Sequence, residues 1–205
     1  MNTSFLNSIR RYRWYLLGRL RIKKEIKSKS SAGKLKIILG AGPTEYEGCI
    51  STDIPHFDIL KEDDWQFFFS KYQINNILIE HVLEHLTKEQ VMRVLSLSYK
   101  YLKPHGCLRI AVPDGYHPDP EYIKLIAPPS DGHQSIWNID TIQNICTDNG
   151  FSTEPLEYYT AKGIFTFKDF DFANGNIIRS RTKGFQSENH PLYSSLIVDA
   201  YKKSN

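Results

Sequence analysis

Cysteine is scarce in this chain. Cys49, Cys107 and Cys146 are the only three in 205 residues. They are widely spaced, odd in number and free of any CxxC pair, so neither a disulfide framework nor a cysteine-based zinc site is expected. Two of them lie in apolar runs and read as buried thiols in a reducing compartment. Long apolar runs are missing too: none approaches the roughly 20 residues of a membrane span. The opening MNTSFLNSIRR lacks the charged-then-apolar order of a secretory signal. There are no internal repeats and no low-complexity segments. These lacks predict a cytoplasmic, globular protein of one domain with an extension.

Acidic residues are nearly missing from one place. Residues 1–34 hold ten Lys/Arg against Glu25 alone, a local charge of +9. The rest keeps 16 of the 26 basic and 22 of the 23 acidic residues, so the body is acidic at −6. A protein that binds nucleic acid over its folded surface would not carry that sign, and no nucleic-acid partner is expected. Phe5, Leu6, Ile9, Tyr12, Leu16 and Leu20 follow helical spacing with arginines between them, and the Ser/Gly-bearing stretch to Lys34 reads as a linker. Two readings of the head stand side by side: peripheral contact with the inner face of a membrane through residues 1–30, or a helix packed on the domain with its charges in water.

From Leu35 onward, short apolar runs alternate with helical patterns. Leu35–Leu39 reads as a buried strand breaking at Gly40-Ala41-Gly42-Pro43, and a second run, Cys49–Thr52, ends on Asp53. Trp65, Phe68 and Phe69 form the stripe of a helix. Ile74–Ile79 is a third strand, closed by Glu80-His81. Thr87 with Gln90 fits a capping box opening a helix, stopped by Pro104-His105-Gly106. Leu108–Val112 is the next strand and ends at Asp114. Asn138 caps a further helix, with Gly150 beyond its end. Such alternation predicts an α/β fold, a mostly parallel sheet with helices on both faces. Ligands of such sheets bind outside the carboxyl ends of the strands, where Gly40–Gly42, Asp53, Glu80–His81 and Asp114 all fall. Glycines there let a ligand approach the backbone, and an acid at the next strand end suits the hydroxyls of a ribose.

The order ILGAGP, STDI, FDIL, EHVLEHL, LKPHGCLRIAVPD resembles the class I S-adenosylmethionine-dependent methyltransferases, over about residues 35–203. The likeness is greatest to a branch of small methyltransferases associated with surface-glycan synthesis. The resemblance implies a Rossmann-like sheet whose final strand, SSLIVDAYK, is antiparallel, and S-adenosyl-L-methionine as cofactor. It implies that Gly40, Ala41 and Gly42 lie against the methionine part, and that Asp53, with Ile54 beside it, holds the ribose. Asp58 and Ile59 would flank the adenine, and Glu80 and His81 would close the pocket near the sulfonium. The chain departs from the pattern in three places. Ile38 stands where the family usually has an acid, and Thr44 takes the third glycine position. Only Pro43–Glu47 separate Gly42 from Gly48, a shortened connection without room for a crossover helix. The N-terminal helix is expected to cover the resulting gap.

His81-Val82-Leu83-Glu84-His85 is an HxxEH sequence, which on a helix puts both imidazoles and the carboxylate on one face. A metal-dependent hydrolase is therefore one alternative function, and a non-catalytic scaffold of the same fold is another. No metal is the expectation; His81, Glu84, His85 and His133 are the set that would hold one. For methyl transfer to oxygen, His133, His81 and Asp114 are the candidate bases. The substrate-cover region, about residues 160–193, offers Arg179 and Arg181 to a phosphate or carboxylate. Tyr158, Tyr159, Phe170, Phe172 and Tyr193 are candidates to stack on a sugar. The expected substrate is a glycan precursor or other small polar acceptor, methylated on a hydroxyl.

Overall fold

The computed structural model describes residues 3–181 and 195–204. Tyr193 and all of the expected cover beyond Arg181 lie outside the described residues. The helices are α1 (Thr3–Ser31), α2 (Glu62–Phe69), α3 (Lys88–Tyr101), α4 (Pro120–Ile126) and α5 (Ile139–Asp148). The strands are β1 (Lys36–Leu39), β2 (Cys49–Thr52), β3 (Ile74–Glu80), β4 (Leu102–Pro113), β5 (Phe151–Tyr159), β6 (Phe165–Phe167) and β7 (Ser195–Lys202). They form one sheet in the order β2-β1-β3-β4-β7-β5-β6. The first four strands run parallel, and β7 enters antiparallel between β4 and β5. This is the Rossmann-like class expected from the sequence.

Alternation along each strand sorts the core into two. Ile37, Leu39, Ile77, Ile79, Leu108, Ile110, Val112, Leu196 and Val198 share one cluster with the apolar sides of α2, α3 and α5. The expected stripe of Trp65, Phe68 and Phe69 is buried there. Thr87 and Gln90 close a capping box on α3, Asn138 caps α5, and Gly150 follows α5 with φ 90°. Ile38, Leu78, Ala111 and Ile197 point the other way, and a different cover meets them: Leu156, Phe170 and Ile177, with Tyr46 and Cys49. Among the described residues that pack on this second face, the helical part is the 3-10 turn at Phe172–Asn174.

The shortened connection explains that asymmetry. The chain passes from Leu39 to Cys49 without a helix, through a turn in which the Thr44 N–H donates to Ala41 O (2.8 Å). A right-handed β1→β2 crossover runs opposite to the later ones, so its missing helix belongs on the second face. α1 does not fill that gap, and the expectation is corrected. Its Ile22 and Ile26 join the helical-face core, and it touches β2 along the open edge of the sheet. Arg19 holds it there, donating from Nη1 to Asp64 Oδ1 and His56 O (both 2.8 Å) with its guanidinium over Phe67 and Phe68.

The second face is closed instead around a buried ion pair. Arg109 and Asp199 face each other across β4 and β7 with two 2.7 Å bonds, at 0% and 2% side-chain exposure. Arg109 also donates to Asp171 O and Gly175 O and lies under the Phe170 ring. One guanidinium thus ties the segment after β6 to the sheet.

Candidate functional site

The carboxyl ends of β1 to β4 finish on one rim. In register, Leu39 pairs with Thr52 and Ile79, and Glu80 with Ala111, so Gly40, Asp53 and Glu80 are brought together there. Gly40 has φ +63°, and a Cβ on it would meet Val82 Cγ2 at 2.7 Å. Gly42 also has positive φ, +51°, but a Cβ would meet nothing within 4 Å. One glycine answers to crowding and the other stands beside open space. Ala41 between them is buried, its N–H donating to Thr52 O at 3.0 Å.

Asp53 turns its carboxylate to this loop. Oδ2 accepts the Gly42 N–H and Oδ1 the Ile54 N–H, both at 2.7 Å. Each oxygen keeps a lone pair for a further donor. Ile54 is 71% exposed, an apolar surface at the rim. The next candidates serve the fold more than an open slot. Asp58 Oδ1 accepts the Leu60 N–H and Oδ2 pairs with Lys61, while Ile59 packs on the helical core and its carbonyl accepts from Trp65 Nε1.

Glu80 is an anchor. Its Oε1 accepts the N–H groups of Ile178 (2.8 Å) and Arg179 (3.3 Å), and its Oε2 the Tyr46 hydroxyl (3.2 Å). Burial, then the Glu80 charge, pushes the Tyr46 phenol up, so that hydroxyl stays a donor. Tyr46 was not singled out from sequence, where its place in a polar loop gave no signal.

His81 follows with φ 53°, a left-handed turn that ends the strand. HxxEH lies past the end of β3, as its place after a strand implies, and not on a long helix. Only Leu83–His85 coil, as one 3-10 turn, so His81 and His85 do not share a helical face. His81 and Glu84 still meet, Nδ1 to Oε1 at 3.0 Å, and Nε2 lies 2.8 Å from Ser195 Oγ. Glu84 can only accept and the Arg179 guanidinium can only donate, so the two compete at Nδ1. With the hydrogen on Nδ1, toward the nearer Glu84 oxygen, Nε2 accepts from the serine hydroxyl and the Arg179 approach is a contact rather than a hydrogen bond. Arg179 Nη1 stands 3.1 Å from the same Nδ1. Glu84 is 2% exposed, and its Oε2 has no hydrogen-bond partner.

His133 is brought to His85, with ring centroids 4.9 Å apart. It is 7% exposed, and its Nδ1 lies 2.7 Å from Ile126 O. Asp114 goes elsewhere, and its expected role as a base is corrected. It is fully buried, with Oδ1 accepting the Tyr116 N–H (2.9 Å) and Oδ2 the Tyr159 N–H (2.6 Å). Burial raises its pKa to about 6 against those two bonds. It joins the ends of β4 and β5 and cannot reach an acceptor. Arg181 is likewise no open fork: its N–H donates to Glu157, its guanidinium pairs with Glu157 and Asp169, and it lies over Phe167. Of the candidate stacking residues, Tyr159 is enclosed and Tyr158 packs on the core, Phe170 covers Arg109, and Phe172 is exposed. A cavity of about 340 Å³ between Lys36, Tyr46, Cys49, Phe172 and Asn176 lies toward the amino ends of β1 and β2, so it is not this site.

No protein-family profile matches the sequence, and no curated protein matches it. Solved structures do. Small RNA methyltransferase HEN1 is 12% identical over 92% of this chain and 25% of that one, with a TM-score of 0.51. A SAM-dependent methyltransferase from Archaeoglobus fulgidus is 18% identical over 98% of this chain and all of that one, at 0.46. The CurJ carbon methyltransferase is 12% identical over 82% and 48%, at 0.48. The likeness to HEN1 is one of fold alone: this chain has the class I methyltransferase fold.

Proposed function

We propose that this chain transfers a methyl group from S-adenosylmethionine to a hydroxyl of a small polar acceptor, of which a glycan precursor is the favoured class. The observation that carries the reading is the loop where β1 and β2 finish. There two glycines take positive φ, space is open at Gly42, and Asp53 aims a carboxylate at the loop. These residues fit an adenosyl group: Asp53 has lone pairs for the ribose hydroxyls, and Gly40–Gly42 admit the methionine chain to the backbone. When bound, S-adenosylmethionine supplies an electrophilic methyl group on its sulfonium.

The chain itself handles the proton. His81 takes it at Nε2 by relay through Ser195: the acceptor hydroxyl gives its proton to Ser195 Oγ, which passes its own hydrogen to Nε2, while Nδ1–H donates to Glu84. A buried carboxylate at Nδ1 fixes the tautomer and stabilises the imidazolium that forms. Arg179, beside His81, is the group to hold a phosphate or carboxylate of the acceptor. Turnover with labelled cofactor and a panel of sugar nucleotides and phosphorylated glycans tests this. Asparagine tolerates the positive φ of residue 81, so His81→Asn should fold normally and lose about 100-fold or more in kcat. Unchanged turnover removes His81 from the mechanism; cofactor binding without turnover on any acceptor favours the scaffold.

We propose also that α1 rests on an anionic membrane surface. Trp14, Leu17 and Leu20 are each more than half exposed among Arg10, Arg13 and Arg21. No described helix is long and apolar enough to cross a membrane. Basic residues at such a surface contribute about 1 kcal/mol each. Sedimentation with phosphatidylserine vesicles should therefore be lost in a triple Arg10, Arg11, Arg13→Glu variant, and retention by that variant would refute it.

A further inference from the structure

We propose that Glu84, His85 and His133 hold a divalent transition-metal ion at the carboxyl rim of the sheet. One ligand atom from each lies within 4.8 Å of the others. His81, the first residue of HxxEH, is not among them; it stands behind Glu84 as a hydrogen-bond donor.

The three are prepared in different ways. Glu84 is almost wholly buried, and with Oε1 taken by His81, Oε2 is left without a hydrogen bond. An ionised carboxylate oxygen enclosed without a donor is costly, and a cation is the partner that removes the cost. His133 is buried with Nδ1 against the Ile126 carbonyl, which only accepts. Nδ1 therefore carries the hydrogen, and Nε2 presents its lone pair. A carbonyl behind the remote nitrogen is the usual support of a metal-bound imidazole. His85 is the least buried of the three, its ring against that of His133.

The backbone holds the two halves together. Gln134 and Ser135 donate their N–H groups to Glu84 O (2.7 and 3.1 Å). Ser135 Oγ bonds Leu83 O and Leu86 O, and Gln134 Nε2 bonds His85 O. Left-handed turns at Asp131 and Gly132 bring His133 into place. Tetrahedral ligands at about 2.1 Å from a metal stand ~3.4 Å apart, so closure from 4.8 Å needs a shift of up to about 1.4 Å, which His85, the least buried of the three, can make. Two imidazoles and one carboxylate suit Zn²⁺ or Co²⁺ rather than Mg²⁺ or Ca²⁺, and three protein ligands leave a fourth position for an oxygen ligand.

The test uses the full chain purified without chelator, with Zn²⁺ followed by calorimetry and Co²⁺ by its visible absorption. One ion per chain is expected, with four-coordinate cobalt bands. His85→Ala and His133→Ala should each weaken Zn²⁺ binding by at least about tenfold. Because His85 is the least buried of the three, its alanine variant should keep the wild-type circular dichroism, and it decides the matter if the His133 variant misfolds. No binding, or equal affinity in H85A, overturns the proposal. Neither ion needs the methyl donor, so failure here leaves the methyl-transfer reading standing, and the converse holds.

Discussion

Asp114 shows how a residue type can mislead while its position informs. An acid at a strand end suggests catalysis, yet this one is enclosed with two backbone N–H donors on its carboxylate. Its folded pKa, about 6, lies above the ordinary 3.8. The folded state thus holds the proton more tightly, and this group's contribution to stability falls as pH rises from about 4 to about 6, then levels. Asp114→Asn removes the titration. The difference in urea midpoints between wild type and D114N should slope across that window and be flat above pH 7; a flat difference throughout would mean Asp114 titrates normally.

At the scale of elements, α1 is fastened by one residue more than by its apolar face. Arg19→Ala should remove about 2–3 kcal/mol of charged hydrogen bonding and release the helix. Limited proteolysis should then cut within residues 3–31 faster than in wild type, while the sheet domain resists; equal cleavage rates would show that Ile22 and Ile26 suffice.

Most elements were legible because each carried its own punctuation. Thr87 with Gln90, Asn138, Gly150 and the Gly40–Gly42 break fixed ends that the structure reproduces. The missing crossover helix was legible by counting residues between Gly42 and Gly48. Its replacement was not. Phe170 to Ile177 looks like a polar loop, and what binds it is Arg109 on β4 and Asp199 on β7, 90 residues apart. No local pattern reports such a pair. The rim was readable in Gly40, Asp53 and Glu80, which end strands. The Glu84–His85–His133 grouping lies within the four residues named from sequence, but that His81 drops out of it depends on the turn after β3 and on a loop brought back by Ser135.

For the whole molecule, the Arg109–Asp199 pair joins the sheet to the cover that replaces a helix. Arg109→Leu leaves Asp199 buried without its cation and should cost about 3–5 kcal/mol in urea unfolding. R109L combined with Asp199→Leu should recover part of that loss, because the stranded charge is gone. If the double variant is as unstable as the sum of the singles, the pair matters for shape rather than charge.

The central claim is that an adenosyl group docks on the rim where β1 and β2 finish, its ribose held by Asp53. Calorimetry of the full chain with S-adenosylhomocysteine tests it most directly, alongside Asp53→Ala. One site per chain is expected in the wild type, with at least about tenfold weaker binding in D53A, a loss of ~1.4 kcal/mol or more. Absence of binding to the folded wild type, or equal affinity in D53A, would contradict it.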